Sequence, residues 1–349
     1  MSVLPSGPAA GTRAELRYIH GLRLLACYLV VVNHTHGELL RSGAPGSVPV
    51  YCLLFSLCKM AVTLFVMISG ALLLGREEGL KKAAVRVGRA LLLLVGVSAL
   101  LALRQEGPAG LLPGRFVPAL LAGPRLPPYW YLYALPGFYL VLPFLQKMAR
   151  SFTLRDYALF TGLLLLLPCL LELLQAYTGL ALAPSFFRAL LPRFLTVAVA
   201  GKFVSLLPRR RGGMLLVLAL FLLAWAGAFA SFYLPWLRTG EVACTLDSWD
   251  TLPAVVMAGA CVYLFRGLGV GERLGRGGAA VLRELAGAAL GVYLLHPLLN
   301  HRVHELGFIL ALYADHPFLG VCAHTLCLFL LSAVPILLLR RIPPVRRIL

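Results

Sequence analysis

Long, almost uninterrupted apolar runs constrain this chain more than any other feature. LLLLVGVSALLAL (91–103) and MLLVLALFLLAWAGAFA (214–230) carry no charge at all. Runs near 20 residues match the hydrocarbon thickness of a bilayer. In lipid only helices and closed barrels satisfy their own backbone, and the alternating ten-residue segments that build a barrel are not seen. The fold class is therefore all-α, a polytopic membrane helix bundle. Only 13% of residues are charged, about half the share of a soluble domain.

Ten transmembrane spans are expected, at about 18–36, 50–74, 84–103, 129–147, 156–177, 189–207, 213–235, 251–266, 279–301 and 317–339. The cations test this layout. With the N-terminus inside, 21 of the 32 Lys and Arg fall in inner segments, seven in outer segments (Arg188 among them) and four within spans. That bias follows the positive-inside rule and sets both termini in the cytoplasm. It also explains the net charge of +18 without a nucleic-acid partner. The multi-pass protein is expected in a cell membrane, the bacterial cytoplasmic membrane.

Residues 1–349 read as a single integral-membrane domain in which residues 1–15, with Arg13, form a short polar tail. Small residues precede the first apolar run there, the wrong order for a cleaved signal peptide, so the first span is expected to be retained. Of the eight cysteines, seven fall within spans and Cys244 lies in a polar loop. With no CxxC or Cys/His spacing, they read as small buried residues, and no metal is expected.

Ionisable residues inside spans are candidates for function. They are Arg23, His34, Lys59, Glu172, Arg193, Lys202, His296 and His324. In RLLACYLVVVNH (23–34), Arg23 and His34 stand eleven residues apart. At ~100° and ~1.5 Å per residue they share one helix face, about 16 Å apart along the axis. Arg23 then lies toward the cytoplasm and His34 near the outer end, with Glu38 one turn beyond. His296, in GVYLLHPLLN (291–300), and Lys59 are expected at the depth of His34, as an outward-opening polar pocket requires. Lys202 can snorkel to the inner face, Glu172 and Arg193 can pair, and His324 reads as structural. REEGLKKAAVRVGR (76–89) is the densest basic stretch. Topology accounts for it, and it also suits attraction of a polyphosphate ligand. Phosphate-loop, dinucleotide, zinc-protease and serine-hydrolase motifs do not occur.

The ordered set of motifs resembles the membrane acyltransferase-3 family. Arg, ten residues and His on the first span is its hallmark. LFVMISGALLL (64–74) resembles its stretch ending in Ser-Gly, although Val66-Met67 replaces more aromatic variants. WYLYALPGFYLVLPFL (130–145) is similar to its aromatic helix after the long outer loop, FLTVAVAGKFV (194–204) to a later Gly-containing span, and GVYLLHPLL (291–299) to its late Tyr-Leu-x-His-Pro element. The stand-alone branch with enterobacterial-common-antigen type O-acetyltransferases is the closest in look. The esterase-like domain of some relatives is not expected here, since the chain ends about ten residues after its last span.

The resemblance implies acyl transfer, most often of acetyl, from cytosolic acyl-CoA to a hydroxyl of a cell-envelope glycan or similar acceptor, near the outer side of the membrane. Succinyl transfer stays open. The implied catalytic residues are His34, Arg23 and His296. Arg23, Lys81, Lys82 and Arg86 would bind the acyl-CoA donor, the only cofactor-like partner besides the lipid bilayer. Lys59, Ser69, Gly70, Trp130 and Glu38 would line the acceptor pocket, with Glu38 also placed to orient the His34 ring. His34 would act as general base, suited by an ordinary imidazole pKa near ~6.5, or carry the acyl group itself. A small-solute transporter or a ligand-binding membrane sensor without acyl transfer remains the alternative.

Overall fold

The computed structural model describes residues 15–44, 46–183, 187, 190–242 and 246–348. Arg13 and the rest of the N-terminal tail to residue 14, Arg188 and Cys244 lie outside the described residues. Among those described, the chain is helical and has no strand.

The helices are α1 (Glu15–Thr35), α2 (Glu38–Ser42), α3 (Ser47–Cys58), α4 (Met60–Leu73), α5 (Leu80–Glu106), α6 (Pro113–Ala122), α7 (Trp130–Ser151), α8 (Leu154–Thr161), α9 (Leu167–Thr178), α10 (Arg193–Leu206), α11 (Arg211–Thr239), α12 (Leu252–Gly267), α13 (Arg276–Gly287), α14 (Ala289–His304), α15 (Gly307–Asp315), α16 (Pro317–Leu339) and α17 (Pro343–Ile348). Helix occupies every one of the ten expected ranges. Among the described residues, five helical stretches are long and apolar enough to cross a membrane: Ser47–Leu73, Leu80–Leu111, Leu154–Thr178, Arg211–Thr239 and Pro317–Leu339. The pair α13 and α14, bent by 55°, makes a sixth if it counts as one span.

Two compact units are present. Residues 1–75 and 152–338 form the first, and 76–151 with 339–349 form the second. In the first unit, 61% of the apolar window in Ser47–Leu73 is buried, against 17% in Arg211–Thr239. The former is a central helix, whereas α11 turns rows of leucine such as Leu215, Leu216 and Leu223 outward, toward lipid. In the second unit, α5 packs along α7. Tyr133 of α7 donates to the carbonyls of Leu120 (2.9 Å) and Gly123 (2.9 Å), pinning the end of α6.

Local sequence explains the breaks. A capping box opens α8: the Thr153 hydroxyl accepts from the Asp156 amide (3.3 Å), and the Asp156 carboxylate accepts from the Thr153 amide (2.7 Å). Together these satisfy two of the orphan donors of a helix start. A tight helix crossing in the first unit joins α4 to α10. A Cβ on Gly70 would overlap the carbonyl of Ala198, and one on Gly201 would overlap the backbone of Met67. Only glycine lets two backbones touch in this way.

Candidate active site

Helix α1 is unbroken from Glu15 to Thr35, so the one-face relation of Arg23 and His34 holds in the folded chain. Arg23 is half-buried, about three turns before His34. His34 lies one residue before the helix end. Its Nδ1 is 2.8 Å from the carbonyl of Val30 and 3.1 Å from Nε2 of His296 on α14. The two ring centroids are 5.0 Å apart at 43°. His296 is fully buried, and its Nδ1 faces the carbonyl of Val292 at 3.0 Å.

These contacts determine where the protons sit in the neutral pair. A carbonyl oxygen only accepts, so His296 Nδ1 carries a hydrogen and donates it to Val292. His296 Nε2 is then a bare lone pair. It faces His34 Nδ1, which must carry a hydrogen, shared between Val30 and His296. The remaining nitrogen, His34 Nε2, holds the free lone pair and is the atom able to take a proton. His296 thereby orients the ring and accepts from the imidazolium that protonation would create, the part a third group plays behind a catalytic base.

Behind the pair lies a buried polar layer. The Asn300 side-chain nitrogen donates to the His34 carbonyl (3.1 Å). The hydroxyls of Thr35 and Thr325 are 2.8 Å apart. The Tyr313 hydroxyl lies between the Thr35 carbonyl (3.2 Å) and His324 Nδ1 (3.0 Å), while His324 Nε2 donates to the Asn300 carbonyl (3.3 Å). His324, which reads as structural in the sequence, is thus held within this layer by Tyr313 and Asn300.

Other expected site residues have other neighbours. Glu38 does not meet the His34 ring: its carboxylate pairs with Arg41 (2.8 Å) and lies 3.5 Å from His304 Nε2. The ring is met by a residue far along the chain, because a side chain one turn beyond the end of α1 belongs to a new helix. Lys59 stands over the Phe55 ring, 3.6 Å from its centroid, and pairs with Asp247. His36 stacks near the other side of the same assembly, 4.9 Å from Phe55 and from Tyr51. Lys59 is therefore level with the C-terminal end of α1, with its charge partly neutralised. Ser69 donates to the carbonyl of Phe65 (2.9 Å) within its own helix, and Gly70 sits at the α4–α10 crossing. Arg193 and Glu172 do pair, at 2.6 Å.

In the second unit, Lys81 and Lys82 are exposed in the first turn of α5. Cations are unfavourable beside a helix N-terminus, so helix stability does not account for them. Arg86 is bound at 2.7 Å to Glu78, a carboxylate only 8% exposed. Trp130 opens α7 and is half-buried.

Sequence reasoning missed Asn300, Asp247 and Tyr313. Asn300 had a signal, four residues after His296 and hence on the same helix face. Asp247 and Tyr313 had none. Among the described residues, no group of three or more His, Cys, Asp or Glu converges as a metal would require.

Residues 16–341 match the acyltransferase-3 family model, described as an acyltransferase domain. No curated protein and no solved structure matches the chain.

Proposed function

Since the chain belongs to the acyltransferase-3 family, we propose that this membrane acyltransferase moves an acyl group, acetyl in the first instance, from cytosolic acyl-CoA to a hydroxyl of a cell-envelope glycan. The observation that carries the reading is the His34–His296 contact, which leaves His34 Nε2 as a bare, oriented base at the outer end of α1. The expected ten crossings with both termini cytoplasmic, in a bacterial cytoplasmic membrane, complete it.

In this reading the acceptor oxygen attacks the thioester carbonyl carbon as His34 Nε2 takes its proton. His296 Nε2 accepts from the resulting imidazolium and holds its ring. The C–S bond then breaks, and His34 returns the proton to the departing thiolate. An O-acyl ester and the CoA thiol are the products. General base catalysis of this kind contributes about 10²- to 10⁴-fold. Lys81 and Lys82 attract the donor's phosphates from the cytosol, and Arg23 guides the donor along the α1 face toward His34.

The test uses purified protein in lipid vesicles with acetyl-CoA labelled in the acetyl group and an envelope glycan fraction as acceptor. The reading expects label in the glycan and one CoA thiol released per acetyl transferred. Solute counterflow with no thiol release would overturn it in favour of transport.

A further inference from the structure

Helix α14 holds His34 at two points. His296 meets the ring and Asn300 meets the backbone carbonyl. These two residues are one turn apart, at i and i+4, on one face of a single helix. The carbonyl in question needs a partner. It belongs to the last turn of α1, whose final four carbonyls have no intrahelical amide. Val32 is served by the amide of His36 (3.0 Å) and His34 by Asn300 (3.1 Å), while the Thr35 carbonyl has the Tyr313 hydroxyl 3.2 Å away. Because a carbonyl only accepts, the nitrogen of the Asn300 amide must face it. His324 in turn donates to the Asn300 carbonyl, so α16 braces the same turn of α14.

We propose that Asn300 is a positioning residue for His34. Together with His296 it clamps the end of α1 and fixes the distance between the two imidazoles. The inference rests on His34 acting as the base. A helix end free to fray would move the His34 ring relative to its acceptor, and a displacement near 1 Å costs about 10²-fold in rate. Asn300 touches no reacting atom in this scheme. It acts through where it holds His34.

The experiment compares wild type, Asn300→Ala, Asn300→Gln and His34→Ala in vesicles, reading kcat, the KM for acetyl-CoA and the thermal midpoint. Asn300→Ala is expected to lower kcat by about tenfold to hundredfold with the KM within about twofold. Asn300→Gln, which keeps an N–H donor, is expected to recover part of that loss. Equal losses in both variants that track a lowered thermal midpoint would make the role merely structural and overturn the proposal. So would wild-type kcat in Asn300→Ala beside an inactive His34→Ala. An active His34→Ala would instead sink the assignment of the base, whatever Asn300 does.

Discussion

His296 Nε2 lies 3.1 Å from His34 Nδ1, although 262 residues separate the two histidines. The carbonyls of Val30 and Val292 stand at the donor nitrogen of each ring, so the proton positions follow from chemistry alone. Replacing His296 by Ala removes the acceptor behind His34. We expect kcat to fall by about tenfold to hundredfold, the usual scale for loss of a positioning contact. His296→Gln, whose amide oxygen can accept from His34 Nδ1, should retain more activity than His296→Ala. Steady-state turnover of the two variants checks this, and equal residual rates would argue against an accepting role.

Glu38 is engaged with Arg41 and His304 rather than with His34. Glu38→Gln should therefore leave kcat within about threefold while lowering the thermal midpoint, since a half-satisfied buried polar group costs about 1–3 kcal/mol. A loss of turnover as deep as that of His296→Ala would return Glu38 to the catalytic machinery.

The glycine crossing of α4 and α10 makes a prediction about stability. A methyl at Gly70 or Gly201 has no space without parting two backbones, and overpacking of this kind typically costs about 1–3 kcal/mol or more. Gly70→Ala should reduce folded yield and thermal midpoint in detergent. A stable Gly70→Ala with a raised KM for the acceptor would show instead that Gly70 lines the pocket.

Exposed Lys81 and Lys82 are read as attracting a polyanionic donor, whereas Arg86 is held by Glu78. Reversing the two lysines to Glu should raise the KM for acyl-CoA severalfold at low salt, with the difference shrinking as ionic strength rises and the Debye length falls. Arg86→Ala should lower stability more than donor affinity, because it leaves the buried Glu78 carboxylate with only the longer contact to Arg76, at 3.9 Å. Measuring KM against salt separates these outcomes.

The all-helical membrane class was legible because lipid imposes it on any long uncharged run. The spacing of Arg23 and His34 was legible because helical geometry fixes one face within an unbroken segment. The His34–His296 meeting was half legible: matching depth put both histidines near one level, but depth carries no lateral information. Glu38 was the nearest carboxylate in sequence and was expected at the ring, yet the chain turns into α2 between them. The pairing of Lys59 with Asp247, 188 residues on, and the Gly70–Ala198 approach arise from helix packing, which a periodic pattern does not encode. Ser69 looked polar and available, but its hydroxyl serves its own helix, a habit of serine in helix interiors.

The most direct measurement is the single-turnover rate of acetyl transfer in vesicles by wild type and His34→Ala, with acetyl-CoA binding measured in parallel. The account predicts a rate at least about 10²-fold lower in His34→Ala, with donor binding retained. A rate within threefold of wild type in folded His34→Ala would contradict it.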